Sequence, residues 1–435
     1  MSVDHADGST NVGQPGGSRT AKLIDQPIWV VAAWGLLGSL LVWSYGVNNV
    51  PIPGVSAPLV DLVFVVLLVR SRRFWRPFLS DRLGRRLFRL LVWLTAFVAL
   101  RAVADYRSYG LQAIRDSLFA LEAWAILLGW GLARRVGRRA VERSLSVLLA
   151  VSLSWFCLYP VRDSILSISP VVGIQKSVPL AEFTSIGFVG AWALLWFIRR
   201  PGRTSVIASV VAIAVIFMAQ TRGVLAGLVL AAFATMGMAQ DTHNARVAGR
   251  ILVAIGVVVS LFAVLPPLPG RLGKIGSSTL VDLVESGLGM KTTVSSSLDD
   301  REKWFDATVA AIKSTRFGVV TGVGLGRDLT GGFGTDVKVT RPHNDFLEYF
   351  ARLGLVGFLP WLGLWVFAIR ELVAQARRRI PIAVWGVGVA SVSLLVSLTQ
   401  PMASFAYGGM VHWMIVGIVI GAVADQPTLT EPDST

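Results

Sequence analysis

Apolar residues along this 435-residue chain gather into twelve runs, at 28–45, 56–69, 88–104, 112–132, 144–161, 182–198, 205–220, 223–239, 251–266, 354–369, 381–398 and 409–424. A helix needs about 17 to 25 mainly apolar residues to cross a hydrocarbon core of about 30 Å. The pattern predicts an all-α polytopic membrane protein with about 12 transmembrane helices.

Short connections join most of these runs, but residues 267–353 form one long polar stretch, and a stretch of that length is usually functional. Within it, Ser296-Ser297-Leu298-Asp299-Asp300 sets a carboxylate three residues after a hydroxyl, a helix-start signal. Trp304, Phe305, Val309 and Ile312 then recur near helical spacing. A second helix is predicted from Pro342, as its first residue, to Gly354, with Phe346, Leu347, Phe350 and Leu353 as its apolar stripe. Between the two lies TGVGLGRDLTGGFGT, a glycine-rich turn region. The N-terminal residues, rich in Gly, Ser, Asp and Asn, lack the order of a cleaved signal peptide and read as a disordered cytoplasmic tail. The expected organisation is this tail at 1–27, nine spans within 28–266, a large helical outer loop at 267–353, three spans within 354–424 and a cytoplasmic tail at 425–435.

Composition agrees with a membrane protein: 54 % of residues are apolar and 15 % charged, where soluble domains carry about 25 % charged residues. The net charge of +15 would raise nucleic acid as a partner of a soluble protein, but here its distribution decides. Eight arginines fall in 70–89, five in 134–143, three in 199–203, two in 240–250 and four in 370–379, each an even-numbered connection. Connections 46–55 and 399–408 carry none. The positive-inside rule therefore puts both termini and the arginine-rich loops in the cytoplasm, and 267–353 outside. The basic excess sets topology and meets membrane lipids, with no nucleic-acid partner expected. Cys157 is the single cysteine, so no intramolecular disulfide can form.

Candidate chemistry collects at the outer ends of the runs. In RPHNDFLEYFARLGLVGF, Arg341 to Phe358, a helix starting at Pro342 holds His343, Asn344 and Asp345 in its first turn, where unpaired backbone N–H groups attract anions such as phosphate. Blander roles stay open: His343 hydrogen-bonded at the lipid interface, Asn344 and Asp345 as simple caps. In AQTRGVLAG, Ala219 to Gly227, a tight connection holds Arg222 at the outer boundary, where it either faces a partner or snorkels to lipid phosphates. Arg101, Arg107 and Arg115 emerge near the same level, with the same two options. Several arginines focused on one face suit a substrate bearing phosphate or pyrophosphate on a lipid, because the planar guanidinium binds phosphate oxygens in pairs.

These stretches resemble a known family. RPHNDFLEYFARLGLVGF is similar to the His-Asn signature of the bacterial O-antigen ligase and polymerase superfamily, and QTRGVLAG to its TRG turn two spans before a large periplasmic loop. REKWFDATVAAIKSTRFGVVTGVGLG, Arg301 to Gly326, is similar to the third family element, an Arg shortly before a Trp or Leu and then a glycine turn. The proline common before that turn is absent, with Arg316-Phe317 in its neighbourhood. The resemblance covers 205–370 in detail and implies a glycosyltransferase of the bacterial cytoplasmic membrane, facing the periplasm or cell exterior. Such an O-antigen ligase-like enzyme moves a glycan from undecaprenyl pyrophosphate to a hydroxyl of a glycolipid or glycan acceptor. Carried over by position, Arg222 and Arg301 hold the pyrophosphate, Arg115 is a looser match, and His343 sits beside the acceptor hydroxyl. Arg341, Asn344 and Asp345 support them, and Asp345 or Glu348 is a fallback base or an orienter of the imidazole. No metal or other cofactor is expected, because fixed guanidinium groups and a helix N-terminus stabilise the leaving charge. A repeat-unit polymerase fits the same motifs. A polysaccharide transporter or flippase would bring inverted repeats or paired broken helices, and neither is visible in the sequence.

Overall fold

The computed structural model describes residues 27–42, 59–157, 183–200, 202–219, 221–237, 246, 249–257, 260, 268–270, 273–275, 296–331, 341–406 and 408–424. The two expected tails, apart from Pro27, and loop segments 276–295 and 332–340 lie outside the described residues.

Among the described residues every apolar run carries a helix. The order is α1 Ile28–Val42, α2 Leu59–Arg70, α3 Arg82–Tyr109, α4 Leu111–Glu122, α5 Ala125–Val136, α6 Arg138–Phe156, α7 Phe183–Phe197, α8 Arg203–Ala219 and α9 Arg222–Gly237. Residues 249–257 are helical, and strands β1 Leu268–Gly270 and β2 Gly273–Ile275 pair antiparallel. Then come α10 Ser296–Ser314, α11 Gly318–Thr321, α12 Asp345–Arg377, α13 Pro381–Thr399 and α14 Gly409–Val423. Four stretches are long and apolar enough to cross a membrane: Arg82–Tyr109, Leu111–Val136, Asp345–Arg377 and Pro381–Thr399. The remaining apolar helices among the described residues are shorter. Run 112–132 is not one smooth helix, since α4 ends at Glu122 and α5 starts at Ala125.

Small residues let the central helices approach closely, as van der Waals packing requires where lipid removes the hydrophobic drive between helices. A Cβ on Gly417 of α14 would collide with the carbonyl of Ile126 on α5, and one on Gly227 of α9 would come within 2.7 Å of Val392 Cα on α13.

Two ends of the bundle differ in chemistry. At one, Arg200 reaches Glu142 at 3.7 Å and Ser146 Oγ at 2.6 Å, and Arg199 donates to the Pro381 carbonyl. Connections 137, 198–200 and 378–380 thus share the arginine-rich end. At the other end, the α3–α4 turn at Gly110, the glycine turn, the start of α12 and residues 400–404 come together.

α12 is two helices. Gly354 has φ 57° and ψ −169°, and Phe346 lies 4.8 Å from Trp361, ring centroid to centroid. Fifteen residues of straight helix would separate those rings by about 22 Å. Residues 345–353 therefore fold back against 355–377, an arrangement repeated by Phe350 on Phe358 and Tyr349 on Trp361. The expected stop at Gly354 is this hinge.

Candidate active site

The recessed helix 345–353 starts later than its sequence suggests. Pro342 is not its first residue: the helix begins at Asp345, capped by Asn344, whose side-chain oxygen accepts from Leu347 N at 3.0 Å. Asn344 takes an extended backbone and His343 a left-handed one, with φ 52°, so His343 stands just outside the first turn. A short polar side chain that bonds its own backbone outcompetes proline as the start. His343 then faces α10. Trp304 sets its ring against the imidazole, centroids 4.9 Å apart and planes tilted by 34°. That contact packs the indole against the imidazole ring. Arg301 lies on α10, one helical turn before Trp304.

The face that helix 345–353 buries is not the expected apolar stripe. Phe346, Leu347 and Phe350 are only half-buried, while Asp345, Glu348 and Arg352 are buried with Tyr349 and Leu353. Likewise on α10, Trp304 and Ile312 turn inward but Phe305 is exposed. Glu348 and Arg352 pair with each other and with Asp116 and Arg341. Asp116 of α4 takes Arg341 at 2.8 Å on one oxygen and Arg352 at 2.9 Å on the other. Glu348 Oε1 takes Arg352 Nε at 2.9 Å and Arg341 at 3.4 Å. Two guanidinium groups and two carboxylates leave no net charge, which makes their burial tolerable. Burial works against the Arg341 cation, but Glu348 and Asp116 outweigh it and raise its pKa above the ordinary arginine value. Arg341 supports the site as a strut, with its charge already matched.

The glycine turn locks onto the same cluster. Val323 N donates to the Ala351 carbonyl at 2.7 Å, Leu325 N to Asp105 at 2.7 Å and Gly326 N to Asp116 at 3.0 Å. Asp105 also pairs with Arg101 at 3.2 Å. Thr308 of α10 donates to the Leu329 carbonyl at 2.9 Å. A glycine-rich turn with backbone N–H groups is a familiar phosphate cradle. Here two of those N–H groups are taken by the chain's own carboxylates, so the turn positions α10 and helix 345–353 relative to α3 and α4.

Asp345 faces inward as well. Its carboxylate accepts from Ala403 N at 2.7 Å and from Ser404 Oγ at 3.1 Å, and Ser404 also reaches Glu348 at 3.3 Å. These bonds tie the helix start to the α13–α14 connection. Beyond Thr399, at the end of α13, that connection leads back to α9. A Cβ on Gly223 would strike the Thr399 hydroxyl. The backbone of Arg222, first residue of α9, therefore lies at the same end of the bundle as helix 345–353. Arg115 is on α4 beside Asp116 but is solvent-exposed and outside the paired cluster.

Asp116, Arg352, Trp304 and Ser404 are the residues that sequence reasoning left without a role in the site. Glu348 and Arg352, four apart on one helix, were the available signal for a buried pair. Among the described residues no three His, Cys, Asp or Glu side chains converge as a metal site.

No curated protein matches the chain. A family model described as O-antigen ligase matches residues 207–362, which includes Arg222, α10, the glycine turn and the hinge of α12. Over that stretch, which holds Arg222, Arg301 and His343, the chain is similar to the O-antigen ligase family.

Proposed function

We propose that this protein transfers a glycan from undecaprenyl pyrophosphate to an acceptor hydroxyl of a glycolipid or glycan, at the outer face of the bacterial cytoplasmic membrane. About twelve helices cross that membrane, with 267–353 as the outer loop. The family match makes glycosyl transfer of the ligase or polymerase type the chemistry to explain. The observation that carries the site assignment is the packing of Trp304 on His343, with Arg301 one helical turn before Trp304 on α10.

In this mechanism the acceptor oxygen attacks the anomeric carbon and its proton passes to His343. The bond from that carbon to the pyrophosphate oxygen breaks, and the electron pair leaves with the pyrophosphate. Arg222 and Arg301, with Arg115 at the rim, meet the charge that grows on the leaving oxygens. Trp304 fixes the plane of the imidazole, so that its edge meets the hydroxyl in one orientation. Asp345 and Glu348 are engaged by Ser404, Ala403 and the arginines, which supports an orienting role for this frame and leaves His343 as the base.

The test is a detergent assay with no sealed compartment. Purified protein given a lipid-linked glycan and its acceptor releases undecaprenyl pyrophosphate and forms a new glycosidic bond. No release under those conditions removes the enzymatic reading. Product length separates ligase from polymerase: one preformed glycan transferred once, or repeat units joined into a ladder.

A further inference from the structure

At the end of the bundle opposite the candidate active site, α1 and α2 leave an open groove between them. It has a volume of about 640 Å³ and is lined by Trp29 and Ala32 on α1, and by Leu62, Val66, Leu67 and Arg70 on α2. That volume falls within the range of about 300–1,000 Å³ of small-ligand sites. Val66 is 58 % exposed, so the groove opens sideways, toward the region that lipid occupies around an apolar helix.

The groove has a basic mouth. Arg70 ends α2, Arg73 stands 4.8 Å over the Phe74 ring and Arg135 stands 5.9 Å over the same ring. Phe74 in turn packs on Trp29 at 5.1 Å, which ties these guanidinium groups to the groove's end. Among the described residues no carboxylate pairs with Arg70, Arg73 or Arg135. Arg138 and Arg200, at the same end of the bundle, have Glu142 as an acidic partner. From Leu62 to Arg70 the helix rises about 12 Å. That is close to the depth of one leaflet's hydrocarbon, half of about 30 Å.

We infer that this groove is a binding site for one anionic phospholipid of the arginine-side leaflet, its acyl chain along Val66 and Leu62 and its phosphate between Arg70, Arg73 and Arg135. Charge matching favours an anionic headgroup over a zwitterionic one, and the apolar length favours a chain over a soluble anion. The lipid carrier of the proposed reaction does not fit this geometry, since its pyrophosphate belongs at the opposite end. The inference stands on the membrane reading alone and not on glycosyl transfer.

Native mass spectrometry of the full chain, released from nanodiscs holding equal phosphatidylglycerol and phosphatidylethanolamine, tests it. The wild type should retain one phosphatidylglycerol in preference. Retention should fall about fivefold for each of Arg70→Gln, Arg73→Gln and Arg135→Gln. Val66→Trp, which fills the groove from an exposed position, should abolish it. Equal retention of both lipids by the wild type overturns the inference, whatever the variants do. So does undiminished retention in well-folded Val66→Trp, or a second copy of the chain cross-linked through residue 66.

Discussion

Arg352 and Asp116 meet at 2.9 Å with both side chains about 1 % exposed, although one lies beside the hinge of α12 and the other on α4. Their contact joins the membrane-embedded frame to the segment that carries His343. Removing one partner of such a pair leaves an uncompensated buried charge, and typically costs about 3–5 kcal/mol. Asp116→Asn should therefore lower the unfolding temperature in detergent much more than Arg115→Gln, its exposed neighbour. Equal effects of the two would mean that the cluster does not hold the site.

Gly326 has φ 84°, and a Cβ there would stand 2.5 Å from Tyr109 Cβ and 3.0 Å from Ala113 N. Gly326→Ala should push the turn off α3 and α4, at a cost of about 1–3 kcal/mol in backbone strain alone. Transfer activity should fall with it, because α10 and helix 345–353 lose their common support. Thermal unfolding and turnover measured on the same preparation check this, and unchanged values in both would refute it.

His343→Ala should slow transfer by about 10² to 10⁴, the usual worth of a general base, while binding of the lipid donor changes little. Arg222→Lys and Arg301→Lys should be nearly as damaging as the alanine variants, since an ammonium cannot present paired donors. Full activity in Arg222→Ala would assign that residue to lipid headgroups.

Transfer should persist in excess chelator, because in the proposed mechanism guanidinium groups supply the positive potential. Activity abolished by chelator and restored by Mg²⁺ or Mn²⁺ would replace this account with a metal-assisted one.

Orientation is open to direct test in a Cys157→Ser background, since the native thiol is exposed. Single cysteines at Arg73, Arg139 and Arg378, all exposed at the arginine-rich end, should resist an impermeant reagent in intact cells. Cysteines at Arg107 and Lys303 should label. The reverse pattern inverts the topology and takes the active-site proposal with it.

Much of this architecture was legible in the hydrophobic pattern. Helices stand on the apolar runs, Gly354 ends the helix that follows His343, and the match at 207–362 agrees with the motifs read from Arg222, Arg301 and His343. Periodicity reports which residues share a face, but it carries no information on which distant face they meet. Asp116 stands next to Arg115 in the sequence, and its partners Arg341 and Arg352 come from far along the chain. The fold-back of Phe346 onto Trp361 was hidden for the same reason, because a continuous helical signal reads alike whether the chain runs straight or reverses. The start at Asp345 instead of Pro342 turned on a single side-chain bond from Asn344, finer than pattern resolves.

The hinge of α12 sits against the glycine turn with nothing between them. A Cβ on Gly322 would strike the Arg352 carbonyl, and one on Gly354 would strike Val320 and Gly322 N, while both residues hold positive φ. Each is bare so that the other's backbone has room. Substituting one therefore cannot be compensated by substituting the other, as it often can between two packed side chains that trade volume. Among diverging descendants of this chain, the two positions should behave as a single heritable unit, held as a glycine pair while the side chains around them change.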